Sequence, residues 1–199
     1  TGEQLHRCAV QPAIPELYFC PDLLGYGWCF RKGNFLNVGL GREDSHHLSE
    51  HVANFRELMK SQGRIPPTAP DQFRGHAYIL YGHSSRTLVD DSTLLIGDAA
   101  GLAYAQSGEG IRPAIESGLL AARTILAANG EYRREALQPY ADLLTKRFGT
   151  PMPDKPTHTL HASRLKRSIA ACLLATGWFS RHILIERWFL RANQPVLMR

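Results

Sequence analysis

The feature that most constrains this chain is the stretch from Thr93 to Leu126, where a short apolar run meets a glycine-rich loop and a long amphipathic helix. The apolar run predicts a buried strand, and it ends abruptly at Gly97 and Asp98. A second glycine pair, Gly108 and Gly110, opens the helix. This order brings one carboxylate and a helix N-terminus to the same side of a sheet. Such a place suits a ligand with ribose hydroxyls and a polar or anionic head.

Two interpretations of this stretch follow from the residues. Asp98 can accept a hydrogen bond from a ribose or ribityl hydroxyl. The helix start at Ser107-Gly-Glu-Gly-Ile111 favours negative charge, such as that around N1 and the C2 carbonyl of a reduced flavin. Alternatively, the segment is an N-capped helix after a buried strand, with Asp98 in the capping role. The order and spacing of the elements together favour the ligand site.

The composition is that of a globular protein, with 44% hydrophobic and 21% charged residues among 199. This length allows one ordinary domain or two small ones. No stretch reaches the roughly 18 uninterrupted apolar residues that a spanning helix needs, and the first residues lack the apolar core of a signal peptide. The cysteines form no CxxC pair, which favours reduced thiols in a cytoplasmic protein, although a disulfide between Cys20 and Cys29 stays open.

The first part of the chain predicts an antiparallel hairpin. Between Leu17 and Gly41, the aromatic residues Tyr26, Trp28 and Phe30 alternate with other types, which places three rings on one face of a strand. The pair Gly33-Asn34 marks the turn, and a returning strand follows it. On pattern alone, such a row of rings is more often part of a core than of a pocket.

Further strands and helices complete the predicted order of elements. Strands are predicted at Ala77–Tyr81 and Thr93–Ile96, and helices at Leu48–Gly63, Ile111–Ala128, Leu137–Phe148, Leu160–Ala175 and Trp178–Arg191. Because strands come first and helices last, we expect an α+β arrangement.

Two motifs resemble those of one protein family. Four segments resemble the second flavin-binding motif of the geranylgeranyl reductases, which are FAD-dependent oxidoreductases with the p-hydroxybenzoate hydroxylase fold. These segments are Leu94-Leu-Ile-Gly-Asp-Ala-Ala-Gly101, Ser107-Gly-Glu-Gly-Ile111, Ala114-Ile-Glu-Ser-Gly118 and Ala121-Ala122. The substrate-domain signature of that family is similar to Pro21, Tyr26, Trp28, Phe30, Lys32-Gly33 and Asn37-Val-Gly39. Both motifs occur in the order that the family has.

The resemblance implies the ligands and the residues that hold them. The implied FAD site consists of Gly97, Asp98, Ala99, Gly101, Gly108, Glu109, Gly110 and Ile111. The implied substrate site consists of Tyr26, Trp28 and Phe30, which would line an apolar tunnel for an isoprenoid chain. No residue is implied as a catalytic general acid.

The resemblance also implies a fold and an organisation. No GxGxxG motif is present, so the chain is expected to be an α+β fragment of a two-domain oxidoreductase that lacks the N-terminal Rossmann βαβ unit. The expected regions are a partial substrate-binding sheet domain over 1–92, the second FAD motif over 93–130 and a helical region over 131–199.

The implied activity is the reduction of C=C bonds in a prenyl lipid or a similar apolar substrate, with electrons from NAD(P)H or a reduced carrier protein. Two departures from the family pattern leave the substrate open: Arg31 replaces the usual proline, and Tyr104-Ala-Gln replaces a proline-containing loop. Two alternatives remain. One is a flavin monooxygenase or halogenase on the same fold, and the other is a non-catalytic module that binds a lipid or a partner.

A metal site is not predicted. The segment His47-Leu-Ser-Glu-His51 has the H-x-x-E-H spacing of one zinc protease class. However, no clear acidic ligand on a second helix accompanies it, and the segment lies at the solvated start of an amphipathic helix.

The C-terminal part of the chain is basic, since the range 160–199 has seven basic residues and one acid, Glu186. A solvated helix face is the simplest interpretation. Docking on an anionic membrane surface is the second, because Trp178 and Trp188 lie opposite several arginines, as in interfacial helices. The protein would then be peripheral on the membrane. Nucleic acid is not a predicted partner, because no recognised binding module is present.

Overall fold

The computed structural model describes residues 8–11, 14–44, 46–82, 86–150, 164–195 and 197. By packing, the chain divides into two compact units: Thr1–Gly75 with His161–Arg167, here called the sheet unit, and His76–Leu160 with Ser168–Arg199, here called the helical unit. This division describes compactness, and the three functional regions expected from the sequence stay a prediction.

The sheet unit contains the predicted hairpin. Its strands are β1 (Glu16–Phe19), β2 (Gly25–Lys32) and β3 (Phe35–Arg42), which form one antiparallel sheet in that order. The turn between β2 and β3 uses Gly33, whose φ of +57° is the left-handed conformation that favours glycine. Trp28 pairs with Gly39 in the register of β2 and β3.

One face of this sheet packs on helix α1 (Leu48–Ser61). The core of the unit is formed by Val10, Cys29, Phe55, Met59 and Ile65. A Cβ atom on Gly27 would lie 2.5 Å from the Phe55 ring, so glycine lets the helix side chain approach the strand. Because side chains alternate along a strand, Tyr26, Trp28 and Phe30 lie on the face opposite to this core.

The helical unit begins with irregular backbone. The strand predicted at Ala77–Tyr81 is wrong: Leu80 forms one isolated parallel bridge with Ala103, and no second rung extends it within the described residues. The regular elements are β4 (Val89–Asp90), β5 (Thr93–Leu94), a 3₁₀ turn (Gly97–Ala100), α2 (Ile111–Ala127), α3 (Arg134–Leu137) and α4 (Pro139–Phe148). Their core comprises Val89, Ala100, Leu102, Leu120, Ala121, Leu137, Tyr140 and Leu144.

The basic C-terminal part forms helices within the two predicted ranges, Leu160–Ala175 and Trp178–Arg191, of which residues 160–163 lie outside the described residues. Helix α5 covers Arg164–Leu174, α6 covers Gly177–Phe179, and a π-helical segment covers Ser180–Phe189. Within the described ranges, no single helix has the length and hydropathy to cross a membrane, although Ser168–Leu174 and Gly177–Phe189, bent by 78°, meet those criteria as a pair. Taken together, the described strands and helices form a mixed α+β fold with antiparallel sheets.

Candidate functional site

The buried strand predicted at Thr93–Ile96 is shorter than expected, because β5 ends at Leu94 and Ile96 is 44% exposed. Gly97 begins the 3₁₀ turn that follows and is tied directly to α2. Gly97 has a φ of +51°, and a Cβ atom built on it would lie 3.0 Å from the Cβ of Ala114. Its backbone N–H donates to Oγ of Ser117 over 3.0 Å. Glycine satisfies both the left-handed conformation and the close approach. These contacts position the turn that follows Gly97 relative to the helix.

Asp98 lies in that turn, against the N-terminus of α2. Its Oδ1 atom is 2.9 Å from the position of a Cβ atom built on Gly110. Its Oδ2 atom is 3.5 Å from Nε2 of the exposed His76, and the Asp98 side chain itself is 48% exposed. The structure thus brings together the carboxylate and the helix start, and their role in binding FAD stays a prediction.

The N-terminus of α2 presents free backbone donors beside this carboxylate. Gly110, the N-cap residue, has no side chain to cap the helix, and the described side chain that accepts a hydrogen bond from the first turn is that of Glu109 and not that of Asp98. Arg112 donates its N–H to Oε1 of Glu109 over 2.9 Å, and Pro113 has no N–H. Among the acceptors that the structure describes, none receives the N–H of Gly110 or Ile111. These two amides are free to bind an anionic or carbonyl group.

The loop before α2 is held by backbone hydrogen bonds. The N–H of Gly108 donates to the Tyr104 carbonyl over 2.7 Å, and the N–H of Tyr104 donates to the Glu109 carbonyl over 3.0 Å. The Tyr78 hydroxyl donates to the Gly108 carbonyl over 2.9 Å. Gly108 has a φ of +65°, and a Cβ atom there would lie 2.9 Å from that hydroxyl. Glycine is therefore needed at this position for both reasons.

Two groups near this loop carry distinctive electrostatics. Burial is the largest cause that raises the pKa of Tyr78, and the negative charges of Asp98 and Glu109 raise it further. The phenol therefore remains a hydrogen-bond donor. The Oε1 atom of Glu109 accepts the hydrogen bond from the Arg112 N–H in the first turn of α2. Its Oε2 atom is buried and has no hydrogen-bond partner among the described residues. A water molecule or a ligand that donates a hydrogen bond would satisfy this acceptor.

The remaining predicted cofactor residues have different surroundings. Ala99 is exposed, and its carbonyl accepts a 2.6 Å hydrogen bond from Nη1 of Arg86. Gly101 is buried, has a φ of +67° and packs on Ile79. Gly101 therefore shapes the turn from within, whereas Ala99 lies beside Asp98 at the surface.

The predicted substrate residues form an aromatic row in the sheet unit. The ring centroids of Tyr26 and Trp28 are 6.1 Å apart, and those of Phe19 and Tyr26 are 5.9 Å apart. Trp28 donates from Nε1 to Oδ1 of Asn37 over 2.7 Å, and its indole lies directly over Gly39. The rings are half-buried and face away from α1. The row is therefore an apolar surface with a glycine beneath it, and not the core of this unit.

Sequence reasoning missed an ionic network on the inner face of α2. Glu116 accepts from Nε of Arg112 over 2.9 Å and from Nε of Arg147 over 2.8 Å. Arg112 also donates to the Leu190 carbonyl over 3.0 Å, just after the π-helical segment. The spacing of Arg112 and Glu116 by four residues is a signal that the sequence does contain. The sequence spacing predicts neither the contact of Glu116 with Arg147 nor the contact of Arg112 with the Leu190 carbonyl.

This network changes the titration of its acid. Burial alone would raise the pKa of Glu116, but hydrogen bonds from Arg147 and Arg112 outweigh it and hold the pKa below its ordinary value. The carboxylate is therefore charged near neutral pH and bridges α2 to α4.

The outer face of α2 is apolar and exposed. The helical spacing of the sequence identifies this stripe, which consists of Ile111, Ile115, Leu119, Ala122, Ile125 and Leu126. The buried face instead consists of Pro113, Glu116, Ser117, Leu120, Ala121 and Thr124. Helical spacing shows which residues share a face, but not which face is covered.

The described residues contain no group of three or more His, Cys, Asp or Glu side chains arranged to hold a metal ion. In the H-x-x-E-H segment, His47 has a left-handed backbone with a φ of 51° and lies 3.6 Å from Glu50. None of the four cysteines, all of which the structure describes, takes part in a disulfide, so Cys20 and Cys29 are not joined. Burial, as the largest cause, raises the pKa of Cys29 to about 11.

Comparisons with known proteins identify relatives. No protein-family model matches the chain. It is 34% identical over 133 residues to digeranylgeranylglycerophospholipid reductase of Methanococcus vannielii, covering 63% of this chain and 33% of that protein. It is 32% identical over 130 residues to the protein of that name in Methanocaldococcus jannaschii, with the same two coverages. It is 29% identical over 155 residues to geranylgeranyl diphosphate reductase of Synechocystis, covering 72% of this chain and 36% of that protein.

A solved structure agrees with these relatives. A geranylgeranyl bacteriochlorophyll reductase-like protein from Thermoplasma acidophilum superposes with a TM-score of 0.55 at 26% identity, covering 72% of this chain and 37% of that one. Over 72% of this chain, the fold is thus similar to that of a geranylgeranyl bacteriochlorophyll reductase-like protein. The chain is a distant homologue of the geranylgeranyl reductases, as the two sequence motifs predict, and it spans about one third of the length of the relatives it matches.

Proposed function

We propose that this chain is the flavin-motif and substrate-binding part of an FAD-dependent oxidoreductase that reduces C=C bonds of a prenyl lipid or a similar apolar substrate. The observation that carries the proposal is the carboxylate of Asp98 against Gly110 at the start of α2. The homology to geranylgeranyl reductases supports the substrate class.

The residues at the helix start are chemically suited to FAD. Asp98 would accept a hydrogen bond from a ribose or ribityl hydroxyl. The free amides of Gly110 and Ile111 would donate to the pyrimidine end of the isoalloxazine, and the N-terminus of α2 adds a favourable potential there. FAD, when bound, supplies the hydride chemistry, and this chain supplies position and electrostatics. The missing side chain at Gly110 lets the Asp98 carboxylate lie close to the backbone that would face the ligand.

The aromatic row suits the apolar part of a prenyl substrate. A hydrocarbon chain binds by removing its surface from water, which contributes roughly 25 cal/mol per Å². The rings of Tyr26, Trp28 and Phe30 offer such a surface outside the core of the sheet unit. The hydrogen bond that Trp28 donates to Asn37 holds the indole in place over Gly39.

The test is single-turnover reoxidation of the complete protein. Anaerobically reduced protein is mixed with geranylgeraniol, and the return of the oxidised flavin band is followed by stopped flow. We expect reoxidation that depends on the prenyl substrate, with a hydrogenated product. A flavin hydroperoxide formed with oxygen and coupled to substrate would instead assign a monooxygenase or halogenase. A protein that stays colourless with added FAD would assign a non-catalytic binding module.

We also propose that the protein is cytoplasmic and peripheral on the membrane, docking through its C-terminal helices. Apolar side chains are exposed there at Ile169, Leu173 and Trp178. Arg181 and Arg187 on the following segment are exposed as well and would attract anionic headgroups. A lipid substrate makes such a position useful, because prenyl chains reside in the bilayer. The electron donor, NAD(P)H or a reduced carrier protein, is left open by this proposal.

A further inference from the structure

In the helical unit, the residues that follow the π-helical segment, 190–194, contact the first turn of α2. Nη1 of Arg112 donates to the carbonyls of Leu190 over 3.0 Å and of Arg191 over 3.3 Å. Its Nη2 donates to the Gln194 carbonyl over 3.3 Å. One guanidinium thus holds three carbonyls of this segment, here called the C-terminal strap. The planar fork of arginine, with its five N–H donors, is suited to bridging several acceptors at once.

Arg112 is itself oriented by a buried carboxylate. Its Nε donates to Oε1 of Glu116 over 2.9 Å, and the Glu116 side chain is only 8% exposed. Arg147 donates to the other oxygen of the same carboxylate. The strap is therefore attached to α2 through an arginine whose position the helical unit fixes from below.

Side chains of the strap contact the loop that precedes α2. The guanidinium carbon of Arg191 lies 3.9 Å from the centroid of the Tyr104 ring, which is a cation–π contact, and its Nη2 donates to Oε1 of Gln106 over 2.8 Å. The Tyr104 hydroxyl donates to Oε1 of Gln194 over 3.3 Å. Arg191 has a φ of 46°, a left-handed conformation that its surroundings must maintain in a residue with a side chain. The strap thus holds the helix through its carbonyls and the loop through its side chains.

Tyr104 connects the strap to the predicted flavin residues. It is 4% exposed, its carbonyl accepts the N–H of Gly108, and its own N–H donates to the Glu109 carbonyl. The two amides that are predicted to face the flavin come next in the chain, and Arg112 follows them directly. The strap therefore closes a ring of contacts that joins the residues before these two amides to the residue after them.

The loop depends on such contacts because its own sequence restricts it little. It is one of the two places where the chain departs from the family pattern, since Tyr104-Ala-Gln stands there without a proline. Proline restricts the backbone of a loop even where nothing contacts it. Tyr104 and Gln106 impose no such restriction, and both contact the strap. The strap therefore supplies an order that the loop sequence alone does not.

We propose that Arg112 is a positioning residue for the flavin site and that it acts by holding the C-terminal strap on the loop before α2. The identity of the ligand rests on the proposed function, whereas the strap rests on the contacts given above. Without the strap, the loop and its two amides would be less ordered before FAD binds. The conformational entropy lost on ordering them would then oppose FAD binding.

The experiment measures two properties of the complete protein. The first is the affinity for FAD, from the quenching of FAD fluorescence, and the second is hydrogen exchange at the amides of Tyr104 and Gly108 in the absence of FAD. Arg112→Gln should weaken FAD binding at least fivefold and speed exchange at both amides. Arg123→Gln, at an exposed position on the same helix, is the matched control and should resemble the wild type in both measurements.

Two further variants separate the strap from effects of charge or of general stability. Arg112→Lys keeps a positive charge beside Glu116 but lacks the planar fork, so it should lose affinity as Arg112→Gln does. Arg191→Gln removes the contacts with Tyr104 and Gln106 and should also weaken FAD binding. Because both arginines act through the strap, the variant that combines Arg112→Gln and Arg191→Gln should bind FAD only slightly more weakly than either single variant.

Exchange at wild-type rates in Arg112→Gln would overturn the proposal, and so would faster exchange with an unchanged affinity for FAD. Full affinity in Arg112→Lys would also overturn it, because charge alone would then be sufficient. Losses that multiply in the combined variant would show two independent effects and would equally refute a shared strap. A wild-type protein that binds no FAD would instead refute the proposed function, and hydrogen exchange would still show whether the strap holds the loop.

Discussion

The carboxylate of Asp98 and the Cα atom of Gly110 occupy neighbouring positions, so that a methyl group on residue 110 would come within 2.9 Å of Oδ1. This contact joins the 3₁₀ turn Gly97–Ala100 to the N-cap of α2. The relationship exists because residue 110 has no side chain. The Asp98 side chain is 48% exposed at this position.

Substitution of Gly110 by alanine should therefore displace the Asp98 carboxylate. Because Oδ1 is the end of a side chain that can rotate, we expect the fold to survive and the bound FAD to fall several-fold. The flavin-to-protein absorbance ratio after gel filtration measures this. Gly118→Ala is the control, since residue 118 lies in α2 with open space around it. That variant should retain flavin and gain roughly 0.5–1 kcal/mol of stability, and equal flavin loss in both variants would contradict the argument.

Removal of the carboxylate itself is the direct test of its role. Asp98→Ala should lower FAD retention by about tenfold or more, because a charge-assisted hydrogen bond contributes about 1.5–3 kcal/mol. The melting temperature without flavin should stay near that of the wild type, since the Asp98 side chain is half exposed. Asp142→Ala, at an exposed position on α4, is the matched variant. Flavin content that is unchanged by Asp98→Ala would count against the cofactor site.

The aromatic row can be tested through the glycines beneath it. A methyl group at Gly39 would overlap the Trp28 indole, whereas one at Gly41 would lie 3.7 Å from that ring, in ordinary contact. Gly39→Ala should therefore move Trp28 and weaken prenyl alcohol binding several-fold, and Gly41→Ala should not. Quenching of tryptophan fluorescence by geranylgeraniol gives both affinities. Similar affinities for the two variants would show that the indole is not part of the substrate surface.

Local patterns predicted the parts of this structure that depend on neighbours in the chain. The alternation at Tyr26, Trp28 and Phe30 and the turn at Gly33 were sufficient for the hairpin, because side chains alternate with period two and the turn residue is adjacent. The approach of Asp98 to α2 followed from a strand, a glycine and a helix in sequence. In each case the relevant residues are separated by few positions.

Contacts between distant segments could not be predicted in this way. Arg147 meets Glu116 across 31 positions, and Gln106 meets Arg191 across 85. The spacing in α2 identified an apolar stripe but gave no information about which face is covered, since the buried face carries Glu116 and Ser117. The strand predicted at Ala77–Tyr81 failed for the same reason, because a strand needs a partner that its own sequence does not specify.

Membrane docking predicts a change in lipid binding on the exposed surface of the C-terminal helices. Trp178 is 67% exposed, so Trp178→Glu should leave the fold intact and reduce co-sedimentation with vesicles that contain phosphatidylglycerol. Binding by the wild type should weaken as salt is raised, because ions screen the arginines. Phe35→Glu, at a 75% exposed aromatic residue in the hairpin, is the control. If both variants bind vesicles like the wild type, the proposed docking surface is incorrect.

The network around Glu116 predicts how stability depends on pH. The pKa of Glu116 is held below its ordinary value of 4.5 in the folded protein, so its ion pairs stabilise the fold above that pH and are lost as the pH falls through the folded-state pKa. Glu116→Gln should lower the free energy of unfolding by about 2 kcal/mol near pH 7, because two arginines lose their partner. Below pH 4.5 the difference from the wild type should narrow, since the wild-type carboxyl becomes protonated as well. Urea denaturation at several pH values measures this, and a difference that stays constant with pH would show that the charge of Glu116 is not what links α2 to α4.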